Sequence, residues 1–329
     1  MAKTADKKAQ SHFFIALLML MLPTVMAWYY YRGDALRQIV TCAAAAFICE
    51  LAVRFVFRKT LKFSFDYGSL FTGAFIALCL PADASLTLSL CAVFFAVLVA
   101  ALPFGGFQHA PFIPAAAGLA FVCLCFPEEF FTYPPVVLPQ SESIIAQGDS
   151  LALLLQTGGI SRLETISLLE IINGNISGPM GAGSLPLIFG TIFFTLLLGK
   201  EAFASSAGFA AGMTAMAALF PRVTTGMTHS ILLELSAGAA LLCGICLIHS
   251  PANRPKHWGW CLGYGIYTAI AVMCYRYFGV HEEGVWFAVL FANGTWGILE
   301  GAFTKLINHT KSGNNGEILP PVQEEAAQG

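Results

Sequence analysis

The sequence predicts an all-α integral membrane protein of about ten transmembrane helices, arranged as two inverted five-helix repeats. Three observations predict it: too little charge for a water-facing surface, apolar runs long enough to span, and basic residues gathered on one side. Of 329 residues, 57% are hydrophobic and 11% are charged, with a mean hydropathy of +0.71. A soluble domain carries about 25% charged residues, so lipid must be the solvent for most of this chain. The net charge of -2 excludes the dense basic face that a nucleic-acid partner requires.

A span needs ~20 mainly apolar residues. Such runs predict helices at 12–31, 35–57, 68–81, 86–103, 110–126, 184–199, 202–220, 229–249, 257–278 and 284–304. The polar, basic start MAKTADKKAQ precedes the first run, which lacks a small-residue cleavage site and reads as a retained helix rather than a leader. The third and sixth runs are short. Short segments bounded by Gly or Pro line sites in membrane proteins, because their freed backbone groups need partners.

With the N-terminus inside, ten crossings place Lys3, Lys7, Lys8, Arg54, Arg58, Lys59, Lys62, Lys200, Arg254, Lys256, Lys305 and Lys311 on the inner face. Arg32, Arg37, Arg162, Arg222 and Arg276 fall outside. This excess agrees with the positive-inside rule and predicts an inner-membrane protein with both termini cytoplasmic. The organisation that follows is a first repeat at 1–126, an exported loop at 127–183, a second repeat at 184–305 and a disordered tail at 306–329. Five helices per half force opposite orientations. A small-residue stretch ending in Pro at 68–81 has an echo at 235–251.

Ionisable residues in a bilayer are costly and become functional candidates. Glu50 and Arg54, four apart, are expected to pair near the inner interface. Glu234 has no basic residue within one turn, so it reads either as an ion ligand or proton carrier or as an interfacial carboxylate. Asp66 is expected to cap the third helix. Cys243-Gly-Ile-Cys246 has redox spacing but sits mid-helix, and packing is the expected role. All ten cysteines lie in apolar segments, which excludes a secreted disulfide framework. No histidine spacing backed by carboxylates predicts a metal site. Gly178, Gly181 and Gly183 form a glycine loop whose N–H groups suit either an anion or a plain helix start.

Several stretches in order resemble the NqrB/RnfD family, and within it the D subunit of Rnf complexes. They are Ser11-His12 with Trp28-Tyr-Tyr-Tyr, the Asp66 to Pro81 segment, Phe112-Ile-Pro-Ala-Ala-Ala-Gly118 through Phe126-Pro127, and Phe278 to Asn293. The resemblance implies a membrane subunit that relays electrons between ferredoxin and NAD-linked partner subunits, coupled to sodium or proton movement. It also implies FMN joined through phosphate to a threonine in a Ser/Thr-Gly-Ala-Thr motif of the exported loop.

Here the loop reads Thr157-Gly-Gly-Ile160, with Ile160 at the flavinylated position. Isoleucine has no hydroxyl for a phosphoester, so the sequence predicts no covalent FMN there. Thr157 and Thr165 are the nearby hydroxyls, while Asp66 and Asn293 remain as residues for a non-covalent flavin. Two further polar positions differ. Ile113 stands for an Asn before Pro-Ala, and the family's Ala-Thr-Asp…Thr-Ser-Pro becomes Gly244-Ile-Cys246-Leu-Ile-His249-Ser-Pro251. The expected partners are other Rnf-type membrane and peripheral subunits and the bilayer, with no metal and no catalytic residue on this chain. A small-solute or ion transporter of the same architecture is the rival expectation.

Overall fold

A computed structural model describes residues 2–58, 66–134, 150–157, 166–174, 177–223, 226–279, 281 and 283–314. Among the described residues every regular element is helical. The first half contributes α1 (Ala2–Met19), α2 (Met21–Arg58), α3 (Tyr67–Cys79), α4 (Leu86–Phe94), α5 (Pro114–Cys125) and α6 (Pro127–Phe130). Two short helices follow, α7 (Leu151–Thr157) and α8 (Leu168–Asn173). The second half contributes α9 (Leu185–Leu198), α10 (Lys200–Leu219), α11 (Met227–Ser236), α12 (Ala240–Cys246), α13 (Trp258–Phe278) and α14 (Val285–Asn314). Two compact units are distinguished, Met1–Gly294 and Thr295–Gly329. The functional groups below belong to the first.

Among the described residues, three helical stretches are long and apolar enough to cross a membrane: Gln10–Val56, Leu86–Phe104 and Lys200–Leu219. The bent pair α11 and α12 reaches that length only when its two helices are taken together, as a broken span or a re-entrant loop. The first stretch has 47 residues, about twice what a bilayer needs. Its helical course is interrupted at Arg32, the one non-glycine residue with positive φ (48°) among the described residues. That interruption falls in the polar gap between the first two predicted helices. Apolar helices α3, α5 and α9 are shorter than a span. Their length follows from their ends: α3 stops before Pro81, and α5 and α9 each begin beside a proline that cannot extend them backward.

Small residues set the closest helix packing. α10 lies along α13, and a Cβ on Gly208 would stand 2.5 Å from the Leu262 carbonyl oxygen. A Cβ on Gly265 would stand 2.1 Å from that of Ser205. Such backbone approach is how helices associate where lipid offers no hydrophobic drive between them. Large apolar side chains such as Phe193, Leu197, Phe278 and Ile298 are instead exposed, as a lipid-facing surface requires.

The two halves interleave. α1 packs on α3 and also on α9, and α2 packs on both α3 and α9. The glycine loop before α9 joins them: Gly181 N–H donates to the Leu78 carbonyl at 2.8 Å, satisfying the C-terminal end of α3. The Gly181 N–H thus serves the chain itself, and a Cβ on Gly181 would stand 2.7 Å from that of Leu78.

Candidate functional site

Two polar centres lie inside the apolar body. The first is a helix break. α11 ends at Ser236, α12 begins at Ala240, and their axes bend by 68°. Gly238 makes the turn with φ +59°, and a Cβ there would fall 1.8 Å from a Glu283 carboxylate oxygen. Breaking a helix frees carbonyls at one end and N–H groups at the other, and a membrane interior offers no water to meet them. Two charged side chains do so. Buried Arg276 donates from Nη1 to the Glu234 carbonyl at 2.6 Å and from Nη2 to the Ala237 carbonyl. Buried Glu283 accepts from the Ala239 N–H at 3.0 Å. Each charge opposes the local half-helix dipole, a cation at the carbonyl end and an anion at the N–H end.

Glu234 completes this centre. It is fully buried, with Arg222 Nε at 2.5 Å from Oε1 and Arg276 Nη1 at 3.3 Å from Oε2. Arg222 also donates to the Leu155 carbonyl at 3.3 Å and lies 4.9 Å from the Tyr277 ring centroid. The sequence left an ion ligand, a proton carrier and an interfacial carboxylate open for Glu234; the structure adds ion pairs with Arg222 and Arg276. Its cationic partners are absent within one turn because they come from positions 12 and 42 residues away, where helical spacing gives no signal.

The second centre is a small cavity of about 20 Å³, room for one or two water-sized groups. Phe13, Phe71 and Phe107 form its aromatic side, with Phe13 centred 6.2 Å from Phe71 and 6.5 Å from Phe107. His12 and His249 form its polar side. Nδ1 of His249 is 3.3 Å from Nε2 of His12, and both rings are buried. Three buried polar atoms of the turn after α12 lack a hydrogen-bond partner: His249 Nε2, Asn253 Oδ1 and Arg254 Nη1. Ile113, Cys246 and His249, three of the positions that depart from the resembled family's pattern, line this one cavity.

The residues predicted to hold a cofactor are placed as follows. Asp66 caps α3, accepting from the Gly68 N–H at 2.9 Å, as expected. It also accepts from Gln10 at 2.9 Å and pairs with Arg54 at 3.3 Å. Arg54 pairs with Glu50 as predicted and so bridges two carboxylates. Asn293 accepts from the Ile113 N–H at 3.1 Å and donates to the Tyr264 hydroxyl at 2.5 Å. Asp66 and Asn293 therefore brace structure around the cavity without lining it. Thr157 ends α7, and its hydroxyl donates to the Leu153 carbonyl at 2.9 Å. Thr165 and Ile160 lie outside the described residues. Cys246 donates to Thr191 at 3.9 Å, and Cys243 is a free thiol hydrogen-bonded with the free thiol of Cys79 in the first half. Sequence reasoning missed the imidazole pair, whose members are 237 residues apart.

The profile described as the NQR2, RnfD, RnfE family matches residues 3–307. The chain belongs to this family. Its relatives within the NQR2, RnfD, RnfE family include proteins named as the D subunit of an ion-translocating oxidoreductase complex. That of Pseudomonas aeruginosa strain UCBPP-PA14 is 28% identical over 287 residues, covering 82% of each chain. That of Klebsiella pneumoniae strain 342 is 25% identical over 331 residues, covering 89% of this chain and 93% of its own. That of Colwellia psychrerythraea is 32% identical over 120 residues, covering 36% and 34%.

Proposed function

We propose that this chain is the D-type membrane subunit of an Rnf-like, ion-translocating electron-transport complex. Its family membership across residues 3–307 carries the reading. In that role it is a multi-pass inner-membrane scaffold with both termini cytoplasmic, and its two halves are inverted five-helix repeats of ten spans in total. The positive-inside distribution of Lys and Arg and the five apolar runs in each half support that plan. Ferredoxin and NAD bind to partner subunits, since this chain has neither a four-cysteine run nor a dinucleotide fingerprint.

The transporter reading is the weaker one. Broken helices in transporters offer their half-helix ends to a solute or ion. Here Arg276 and Glu283 occupy both ends.

The residues present do not fit the family's flavin. Ile160 lacks the hydroxyl for a phosphoester, and Asp66 and Asn293 are engaged by the chain itself. The proposal therefore includes no covalent FMN on this subunit, and no electron-transfer step is assigned to its side chains.

Purification of the tagged chain from native membranes tests all of this. Mass spectrometry is expected to find the other subunits of an ion-translocating oxidoreductase. A denaturing gel is expected to show no flavin fluorescence at this chain's position, and acid extraction reports any flavin held without a covalent bond. Solute uptake by the isolated chain in liposomes, with no redox subunits co-purifying, would overturn the assignment.

A further inference from the structure

The imidazole pair joins distant parts of the chain. His12 belongs to α1 and His249 to the turn after α12, and their rings meet edge-on with centroids 5.3 Å apart. A bond between His249 Nδ1 and His12 Nε2 holds one proton, since two bare nitrogens repel and two N–H groups collide. In one arrangement His249 donates and its Nε2 is bare. In the other His12 donates and the Nε2 of His249 carries hydrogen. Exchange between the two neutral arrangements therefore turns that Nε2 from acceptor to donor, with one proton taken up at one outer nitrogen of the pair and one released at the other. The atom is buried, has no hydrogen-bond partner, and belongs to a residue that lines the cavity. The cavity admits one or two waters, and the Thr72 hydroxyl and Cys246 thiol share its walls.

We propose that His12 and His249 form a proton relay that passes protons from the inner end of α1 into the cavity. The step begins with His12 Nε2–H donating to His249 Nδ1. A proton reaches the bare His12 Nδ1, the bridging proton passes to His249 Nδ1, and His249 Nε2–H gives its proton to water in the cavity. One proton enters and one leaves, so the pair's net charge is unchanged, and both histidines end as the other neutral tautomer. Arg254 faces both rings and Cys246 shares the cavity wall with His249. The wall residues from α3, α5 and the Phe107 turn carry no titratable side chain. A lasting second cation beside Arg254 in a buried site is costly, which suits a group that passes protons rather than one that stores them.

The inference rests on the ion-translocating reading for its primary assay. Vesicles carrying the whole complex are driven with NADH, and proton uptake is followed with a pH-sensitive dye. His249→Ala and His12→Gln are expected to slow uptake about tenfold or more with the chain still assembled. Added imidazole is expected to restore His249→Ala, a rescue that a merely structural histidine would not show. Uptake at the parent rate in both variants overturns the relay, and so does a loss that imidazole does not restore in assembled complexes. If parent vesicles show no electron-driven ion movement, the functional reading fails instead. The relay is then judged on the isolated full chain by histidine 15N NMR. Exchange of His249 between its two neutral tautomers supports it, and a single fixed tautomer overturns it.

Discussion

The helix break and the inner cavity solve the same problem in opposite ways. Both put polar atoms inside an apolar body, where an unmet hydrogen bond costs about 1–3 kcal/mol. At the break, Arg276, Glu283 and Arg222 reach in from other segments and bond freed backbone groups and Glu234. At the cavity, His249 Nε2 is left without a partner. Polar groups that complete one another brace a fold. Polar groups left open next to a space are available to something that enters it. The comparison assigns stability to the first centre and traffic to the second.

Substitutions at five positions sharpen or break that division. Glu234→Gln should have the largest effect on folding, because it leaves Arg276 and Arg222 without their carboxylate; breaking a buried pair costs about 3–5 kcal/mol. Thermal unfolding in detergent should show a large fall in Tm. The double variant with Arg276→Met should lose less than the two single losses combined, since contacting residues are not additive. An additive result would mean that the two side chains do not act as a unit.

Gly238→Ala comes next. It places a Cβ on the Glu283 carboxylate at a φ of +59°, and overpacking of this kind costs about 1–3 kcal/mol. A variant as stable as the parent would show that the turn is not held as described. Asp66→Ala removes a helix cap worth about 1 kcal/mol together with the Arg54 contact, whereas Asp66→Asn retains the capping oxygen and should lose less. The smallest change in stability is expected for His249→Thr, about 1 kcal/mol or less for one neutral hydrogen bond, although proton uptake falls. A His249→Thr variant that unfolds as readily as Glu234→Gln would erase the distinction between the two centres.

The parts of the site that follow local rules were legible in the sequence. Asp66 before a short helix, Glu50 four residues ahead of Arg54, and Cys243 and Cys246 inside an apolar run each carry their environment in their neighbours. Glu234 does not. Its spacing says only that a carboxylate is buried, and its two arginines arrive from elsewhere along the chain. The run 229–249 reads as one helix because its composition is uniformly apolar and small. The break at 237–239 depends on Arg276 and Glu283 being present to receive its freed groups.

The sequence by itself determined the solvent of this protein, its helical class and its family, because hydropathy, periodicity and ordered motifs are properties of neighbouring residues. Tertiary structure alone decided which charges meet at the helix break. It also brought Ile113, Cys246, His12 and His249 to one cavity. Those contacts join residues as many as 237 positions apart, and no local pattern encodes a meeting that only the packing of the two halves produces.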